Sequence, residues 1–242
     1  MRCEQQGIGL PEILISLFLS ALITTALFNH YLRVKQNYRY TSNALEDAVD
    51  LLQVTDLLRD SIKRAGFSPC LGIEQLITGS PKLLAFSINT GPSSVLKINR
   101  MSEYYDSVLN VISPTELLLT KSQSLNRHHP VLIADCYHAE VQYLSRINHA
   151  NNAQYVTLNT PLLFNYQMPI YIGEWIQETF FIRTISPHKT ALFYKNIHTD
   201  ELTNVVHSMT ITPSAQPGFL QIKLGLSNGQ EMTLETSVRA PL

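Results

Sequence analysis

Charge of one sign is what this chain lacks most. Its 242 residues carry 18 Lys and Arg against 19 Asp and Glu, a formal net charge of −1. Such a balance supplies neither the basic footprint of a nucleic-acid binder nor a polybasic membrane patch, so no nucleic acid contact is expected. Glycine and proline are missing from Glu12 to Ala65. With both breakers absent, a helix of roughly 80 Å is permitted there at about 1.5 Å per residue. Cysteine is scarce, with Cys3, Cys70 and Cys136 alone. There is no GxSxG, no HExxH, no phosphate-cradling glycine loop and no paired-carboxylate motif. Internal repeats and low-complexity tracts are absent as well.

What is present starts at the N-terminus. Between Ile8 and Phe28 the only charged side chain is Glu12, at the head of the apolar run from Ile13 to Phe28. About 20 apolar residues suffice to cross a bilayer core. A carboxylate inside such a segment costs roughly 2.5 to 3.5 kcal/mol on insertion scales, so Glu12 is a functional candidate; a snorkelling acid near a helix end is the plain alternative. An ordinary secretory signal fits badly. Glu4 offsets Arg2, Pro11 and Glu12 sit at the mouth of the apolar run, and no Ala-x-Ala follows it. A retained anchor or a cut ahead of the run remains. Taken alone, Arg33, Lys35 and Arg39 beyond the run place that side in the cytoplasm by the positive-inside rule.

Gly7-Ile8-Gly9-Leu10-Pro11-Glu12 resembles the class III signal of type IV prepilins and type II secretion pseudopilins. In that family the cut follows a Gly, a Leu stands third in the mature chain and a Glu fifth, places that Gly7, Leu10 and Glu12 occupy. Ile8 stands where Phe is usual and Gly9 where Ser or Thr is usual. The family carries basic residues after its apolar run although it points outward, and the outward orientation is kept here. A cut after Gly7 creates an amine on Ile8, four residues before Glu12, and stacked subunits can pair one's amine with another's carboxylate. Lipid tails are as apolar as leucine, so such a polar pair sets register where hydrophobicity does not. Pro11 falls in the first helical turn, where its missing donor costs nothing.

Beyond the membrane part, Leu45, Ala48, Leu52, Thr55, Leu58, Ile62 and Ala65 recur at three and four residue steps, a stripe that a sheet is expected to cover. Asp56 to Arg59 and Asp60 to Arg64 are spaced as ion pairs on the solvated face. Lys63, Arg64, Gly66 and Pro69 mark the end of the helix. The stretches Lys35 to Arg39 and Leu57 to Phe67, followed by Cys70, are similar to the N-terminal helix of PilW-type minor pilins and of J-class pseudopilins. If Cys3 leaves with the leader, two cysteines remain, the count for one intrachain disulfide in an oxidising compartment or for two buried thiols in a reducing one. The resemblance favours the first, a Cys70 to Cys136 bond.

Residues 67–242 read as short strands over 83–88, 95–98, 116–120, 131–134, 140–144, 155–158, 175–185, 191–194 and 205–212. A last hairpin runs from Phe219 to Leu226, turns at Asn228-Gly229 and returns from Met232 to Glu235. Loops are expected at 78–81, 89–94, 122–130 and 148–153. The fold class is α+β and pilin-like: a long N-terminal helix, half membrane-spanning and half amphipathic, packed on an antiparallel β-sheet domain. The division is a leader at 1–7, the helix at 8–66 with its span at 8–28, and a periplasmic β-rich domain at 67–242.

Catalysis has little sequence support. Ser94 to Lys97 and Ser186 to Lys189 fit SxxK, but both lie in strand-like or proline-containing stretches, whereas the nucleophile should open a helix. His128, His129, Cys136 and His138 lack the paired spacing of structural zinc sites, and neither metal nor cofactor is expected. The resemblance implies an inner-membrane minor pilin with Gly7, Ile8, Leu10 and Glu12 in processing, and Ile8 and Glu12 in assembly. Its partners are then a prepilin peptidase, other minor pilins, the major pilin and the assembly platform of the inner membrane. Alternatives are a J-class pseudopilin of type II secretion, or a membrane-anchored β-domain that binds a ligand or hydrolyses one.

Overall fold

The computed structural model describes residues 9–89, 94–120, 125–150, 153–187, 189–214 and 218–238. A long apolar N-terminal helix and a large antiparallel-rich β-sheet domain make an α+β layout. Helix α1 (Leu10–Lys63) is unbroken over 54 residues, as the lack of glycine and proline allows. The chain divides into two compact units after Val49, and the last turns of α1 belong with the strands. In the first unit the leucines, isoleucines and phenylalanines from Leu10 to Phe28 are all exposed.

The second unit is built on two long antiparallel strands, β3 (Val95–Ser113) and β9 (Ile170–Ser186). At one end, β2 (Phe86–Asn89) adds to β3, while β10 (Lys189–Lys195) and then β11 (Thr199–Thr203) add to β9. At the other end, β3 is followed by β4 (Glu116–Thr120), β8 (Ala153–Leu158) and β7 (Leu144–Ala150). There β9 is followed by β5 (Val131–Ala134), β6 (His138–Gln142) and the short parallel strand β1 (Ile77–Thr78). A separate meander holds β12 (Val206–Pro213), β13 (Phe219–Leu226) and β14 (Glu231–Ser237).

Two cores result. Val54, Leu58, Ile62 and Ala65 share one with Leu96, Ile98 and Phe180 of the large sheet and with Met209, Ile222 and Leu234 of the small one. The buried side chains of the other all come from strands, around Leu117, Leu119, Ile133, Val156 and Ile172. Between them β3 bulges: Met101 faces Trp175 and Tyr105 faces Gly173, so three residues oppose Glu174 alone. A bulge bends its strand and raises the local twist, and here it comes where the ribbon passes from one core to the other. A Cβ on Gly173 would come within 2.8 Å of Met101 Cγ and 3.1 Å of Tyr105 Cβ, so the crossing strand needs glycine at that point.

Several sequence expectations are corrected. The helical stripe is buried only from Val54 on; Leu51 is half-buried, whereas Leu45, Ala48 and Leu52 are exposed, the two leucines at 64% and 61%. Neighbouring helical residues point about 100° apart, so Leu52 cannot share the side on which Leu51 packs. Strand β3 extends fifteen residues past the expected 95–98, and β7 and β11 were not expected at all. The expected loop at 148–153 is a hairpin end, with Asn148 to Ala150 in β7 and Ala153 opening β8, and Thr78 ends β1 rather than opening a loop. Of the other expected loops, residues 90–93 and 122–124 lie outside the described residues. The hairpin at the C-terminal side has its first strand at the expected bounds, with Gly229 at φ +81° in its turn.

Candidate functional site

At the head of α1, Gly9 is the last non-helical residue, Leu10 the first helical one, and Pro11 and Glu12 complete the turn. The Gly9 carbonyl accepts from the Glu12 N–H at 3.0 Å, and the Gly9 N–H donates to Glu12 Oε2 at 3.1 Å. This reach-back is the carboxylate half of a capping box, and it puts a negative charge at the positive end of the helix dipole. Leu10 is exposed. Gly7 and Ile8, the expected processing positions, lie outside the described residues. In the span that follows, the four hydroxyls are satisfied by the helix itself. Ser16 and Ser20 donate to the Ile13 and Leu17 carbonyls, and Thr24 and Thr25 to those of Ser20 and Ala21, at 2.7 to 2.9 Å. Hydroxyls bonded one turn back no longer require water, which suits a helix long and apolar enough to cross a membrane. Glu12 is then the one ionisable side chain of that segment.

At its other end α1 is tied down. Gly66 takes φ +68°, and the exit then pairs with β3: the Gly66 N–H donates to the Asn99 carbonyl at 2.9 Å, and the Met101 N–H to the Phe67 carbonyl at 2.9 Å. Cys70 follows and is bonded to Cys136, with 5.2 Å between the Cα atoms. Cys136 is presented by a turn built on Asp135. Its Oδ1 accepts the N–H groups of Tyr137 and His138 at 2.7 and 2.5 Å, and its Oδ2 accepts the Gln167 N–H at 2.9 Å. Nearby, Glu140 accepts from the Leu163 N–H at 3.1 Å and the Tyr166 hydroxyl at 3.0 Å. These two buried carboxylates hold the segment from Asn159 to Pro169, which has no strand or helix of its own. Burial, then the charge and hydrogen bond of Glu140, push the Tyr166 hydroxyl far above the tyrosine range, so it stays a donor.

The Asp135 bonds carry a pH dependence. Burial alone raises this carboxyl, but the N–H groups of Gln167, His138 and Tyr137 outweigh it and bring it below the ordinary 3.8. A depressed folded value means that the stabilisation is complete above the unfolded value and is lost as pH falls through the folded one. Asp135→Asn, which turns an NH₂ toward backbone donors, is expected to cost about 1 to 3 kcal/mol at pH 7. Urea unfolding at pH 7 and pH 3 should show that gap narrowing in acid; an equal gap at both would rule out Asp135 as the source.

The residues weighed for catalysis are not brought together. Lys97 is an exposed strand residue, Ser186 ends β9 and Lys189 opens β10, and His188 lies outside the described residues. His129 pairs with Glu174, His138 stacks on Phe164 at 4.8 Å, and Cys136 is spent in the disulfide. Among the described residues no group of three or more His, Cys, Asp and Glu side chains is placed to hold a metal ion. Comparison with protein-family models, with curated proteins and with solved structures finds no match.

Sequence reasoning missed the polar pair Arg100 and Glu178 under the helix exit, and the clamps Asp135 and Glu140. Alternation held the signal. Ile176, Glu178 and Phe180 share a strand face, so Glu178 had to enter the core with Phe180.

Proposed function

We propose that this chain is a minor pilin, of the PilW type, that enters the inner membrane as a precursor, is cut between Gly7 and Ile8, and takes its place in a type IV pilus or its priming complex through α1. The observation that carries the reading is Glu12, a lone acid at the head of a membrane-length span whose four hydroxyls are bonded within the helix. Among the described residues its one side-chain partner is the Gly9 N–H, which leaves carboxylate valence for a neighbour's new amine. A second feature agrees. Tyr31, Val34, Tyr38 and Leu45 follow one another at steps of three, four and seven residues and are all exposed, the spacing of a seam between helices. A bonded Cys70 and Cys136 suit an oxidising compartment such as the periplasm. The partners on this reading are a prepilin peptidase, the other minor pilins, the major pilin and the inner-membrane assembly platform, and the β-rich domain is the part turned to the periplasm.

The test uses the full chain expressed with its pilus partners. The purified protein should begin at an N-methylated Ile8 by mass spectrometry. Glu12→Val should leave that mass unchanged yet reduce co-isolation with partner pilins about tenfold, the effect of removing one interhelical polar pair of 1 to 2 kcal/mol. Undiminished co-isolation would remove the role of Glu12. An intact Met1 would favour the tethered β-domain instead.

A further inference from the structure

The β-rich unit carries a cleft that the helix does not use. The segment from Gly79 to Leu84 crosses the face of the large sheet between β1 and β2, and beside it lies a cavity of about 470 Å³, within the range of small-molecule sites. A second cavity of about 210 Å³ shares a wall with it, Pro130, Trp175 and Gln177 lining both. The two adjoining cavities make up one groove, with Asn99 of β3 and residues of β9 in its wall.

Its lining is of two kinds. Leu84, Tyr143 and Leu163 are large apolar side chains left 45%, 54% and 67% exposed around the first cavity. The floor is amide. Asn99 Nδ2 donates to the Leu84 carbonyl at 2.9 Å, and Gln177 Nε2 donates to Asn99 Oδ1 at 3.3 Å. This relay fixes the orientation of both amides, and Gln177 Oε1 has no protein partner among the described residues. Glu140, also in the wall, already accepts from the Leu163 N–H, the Tyr166 hydroxyl and the Gln142 amide. At the far end Glu174 is paired with His129. Among the described residues Lys82 is the one ammonium in the lining of either cavity.

These groups discriminate among ligand classes. One cation is too few for a polyphosphate or a nucleic acid strand, which need several. An extended peptide gains most of its affinity from backbone pairing at a sheet edge, but the floor here is a sheet face whose strands β3 and β9 already pair with each other. A lipid tail has no use for fixed amides. A pyranose ring presents what remains: an apolar C–H face for tyrosine and leucine, and an edge of hydroxyls for an amide pair. From this we infer that the groove binds a short neutral oligosaccharide, with Tyr143 and Leu163 against the ring faces and Gln177 bonded to hydroxyls. The site is independent of how α1 is used.

Trp175 gives a direct readout, being the single tryptophan of the chain and part of the wall of both cavities. The full chain is placed in phosphatidylcholine nanodiscs, since glycoside detergents would compete for the groove. Cellotriose, maltotriose and triacetylchitotriose are then titrated to tens of millimolar. At least one should give a saturable change in Trp175 emission and saturation transfer to its ring protons. Gln177→Ala should weaken that sugar about threefold to tenfold, the loss of one or two hydrogen bonds, and Tyr143→Ala should weaken it as well. Both side chains are exposed, so unchanged urea midpoints are expected and serve as the folding control. No saturable change with any of the three sugars overturns the inference. So does a sugar affinity untouched by both substitutions, or binding of an extended leucine-rich peptide with the same dependence on Gln177 and no response to sugars.

Discussion

Reducing the Cys70 to Cys136 bond lowers the stability of the β-rich unit by about 4 kcal/mol. The bond closes a loop of sequence separation 66, and loop-closure entropy in the unfolded chain gives that figure for such a length. Against a typical domain stability of about 5 to 15 kcal/mol this is a large share. Its location adds to it. Cys70 lies four residues beyond Gly66, where the chain leaves α1 and pairs with β3, and Cys136 lies in the turn that Asp135 organises. The bond therefore closes a loop that starts just beyond the helix exit and holds β1 to β5. Urea unfolding of the full chain in nanodiscs, followed by Trp175 emission with and without reductant, measures the loss. Amide exchange at Gly66 and Met101 should speed up in the reduced protein, because their bonds join the exit to β3. A loss under about 1 kcal/mol would show that the packing of Val54, Leu58 and Ile62 holds the exit without the staple.

How much of this was legible beforehand varies with the range of the interaction. The helix and its exit are local matters. A stretch without glycine or proline, then Gly66 in the left-handed region and Pro69 behind it, needs no knowledge of the rest of the chain. Strands β4, β5 and β13 match their expected bounds because each is a compact run of branched or aromatic residues between breakers. The outer half of β3 did not show, since Glu103, Asp106 and Asn110 interrupt its apolar alternation and its bulge displaces Ser102 to Tyr104 from the ladder. Strand β11 is a charged, exposed edge, Thr-Asp-Glu-Leu-Thr, whose acidity protects a sheet margin and also hides the strand. The helical stripe is buried as expected at Thr55, Leu58, Ile62 and Ala65 and departs from expectation only at Leu45, Ala48 and Leu52, which are exposed. Covering strands then selected Leu51 and Val54 over Leu52.

The candidate site divides in the same way. Glu12 stood out because charge is absent around it, and its capping bond to Gly9 is local. The groove left no such signal. Asn99 and Gln177 lie 78 residues apart and meet only through the register of β3 and β9. Neither is unusual in its own sequence neighbourhood, so only the strand pairing could have joined them.

Long-range pairing also sets the second large effect, at Glu178. Arg100 and Glu178 are 6% and 3% exposed, with Arg100 Nη2 donating to Glu178 Oε1 at 3.3 Å and the Tyr194 hydroxyl donating to the same oxygen at 3.0 Å. Burial first, and then the negative charge of Glu178, push that hydroxyl up to about 12, so Tyr194 remains a donor. Arg100 Nε and Glu178 Oε2 have no hydrogen-bond partner among the described residues. A buried pair with orphaned atoms on both members recovers little of its desolvation cost, yet breaking it strands a charge. Glu178→Leu alone should therefore cost about 3 to 5 kcal/mol, because Arg100 and the Tyr194 hydroxyl are left without an acceptor. Adding Arg100→Met and Tyr194→Phe should return the protein to wild-type stability or above, as replacement of whole buried ion pairs by apolar side chains does elsewhere. The comparison is a mutant cycle in urea, and the recovery in the triple variant is its decisive quantity. If the losses simply add, the three groups do not act as a unit, and the weakness of this core lies in the volume each side chain fills.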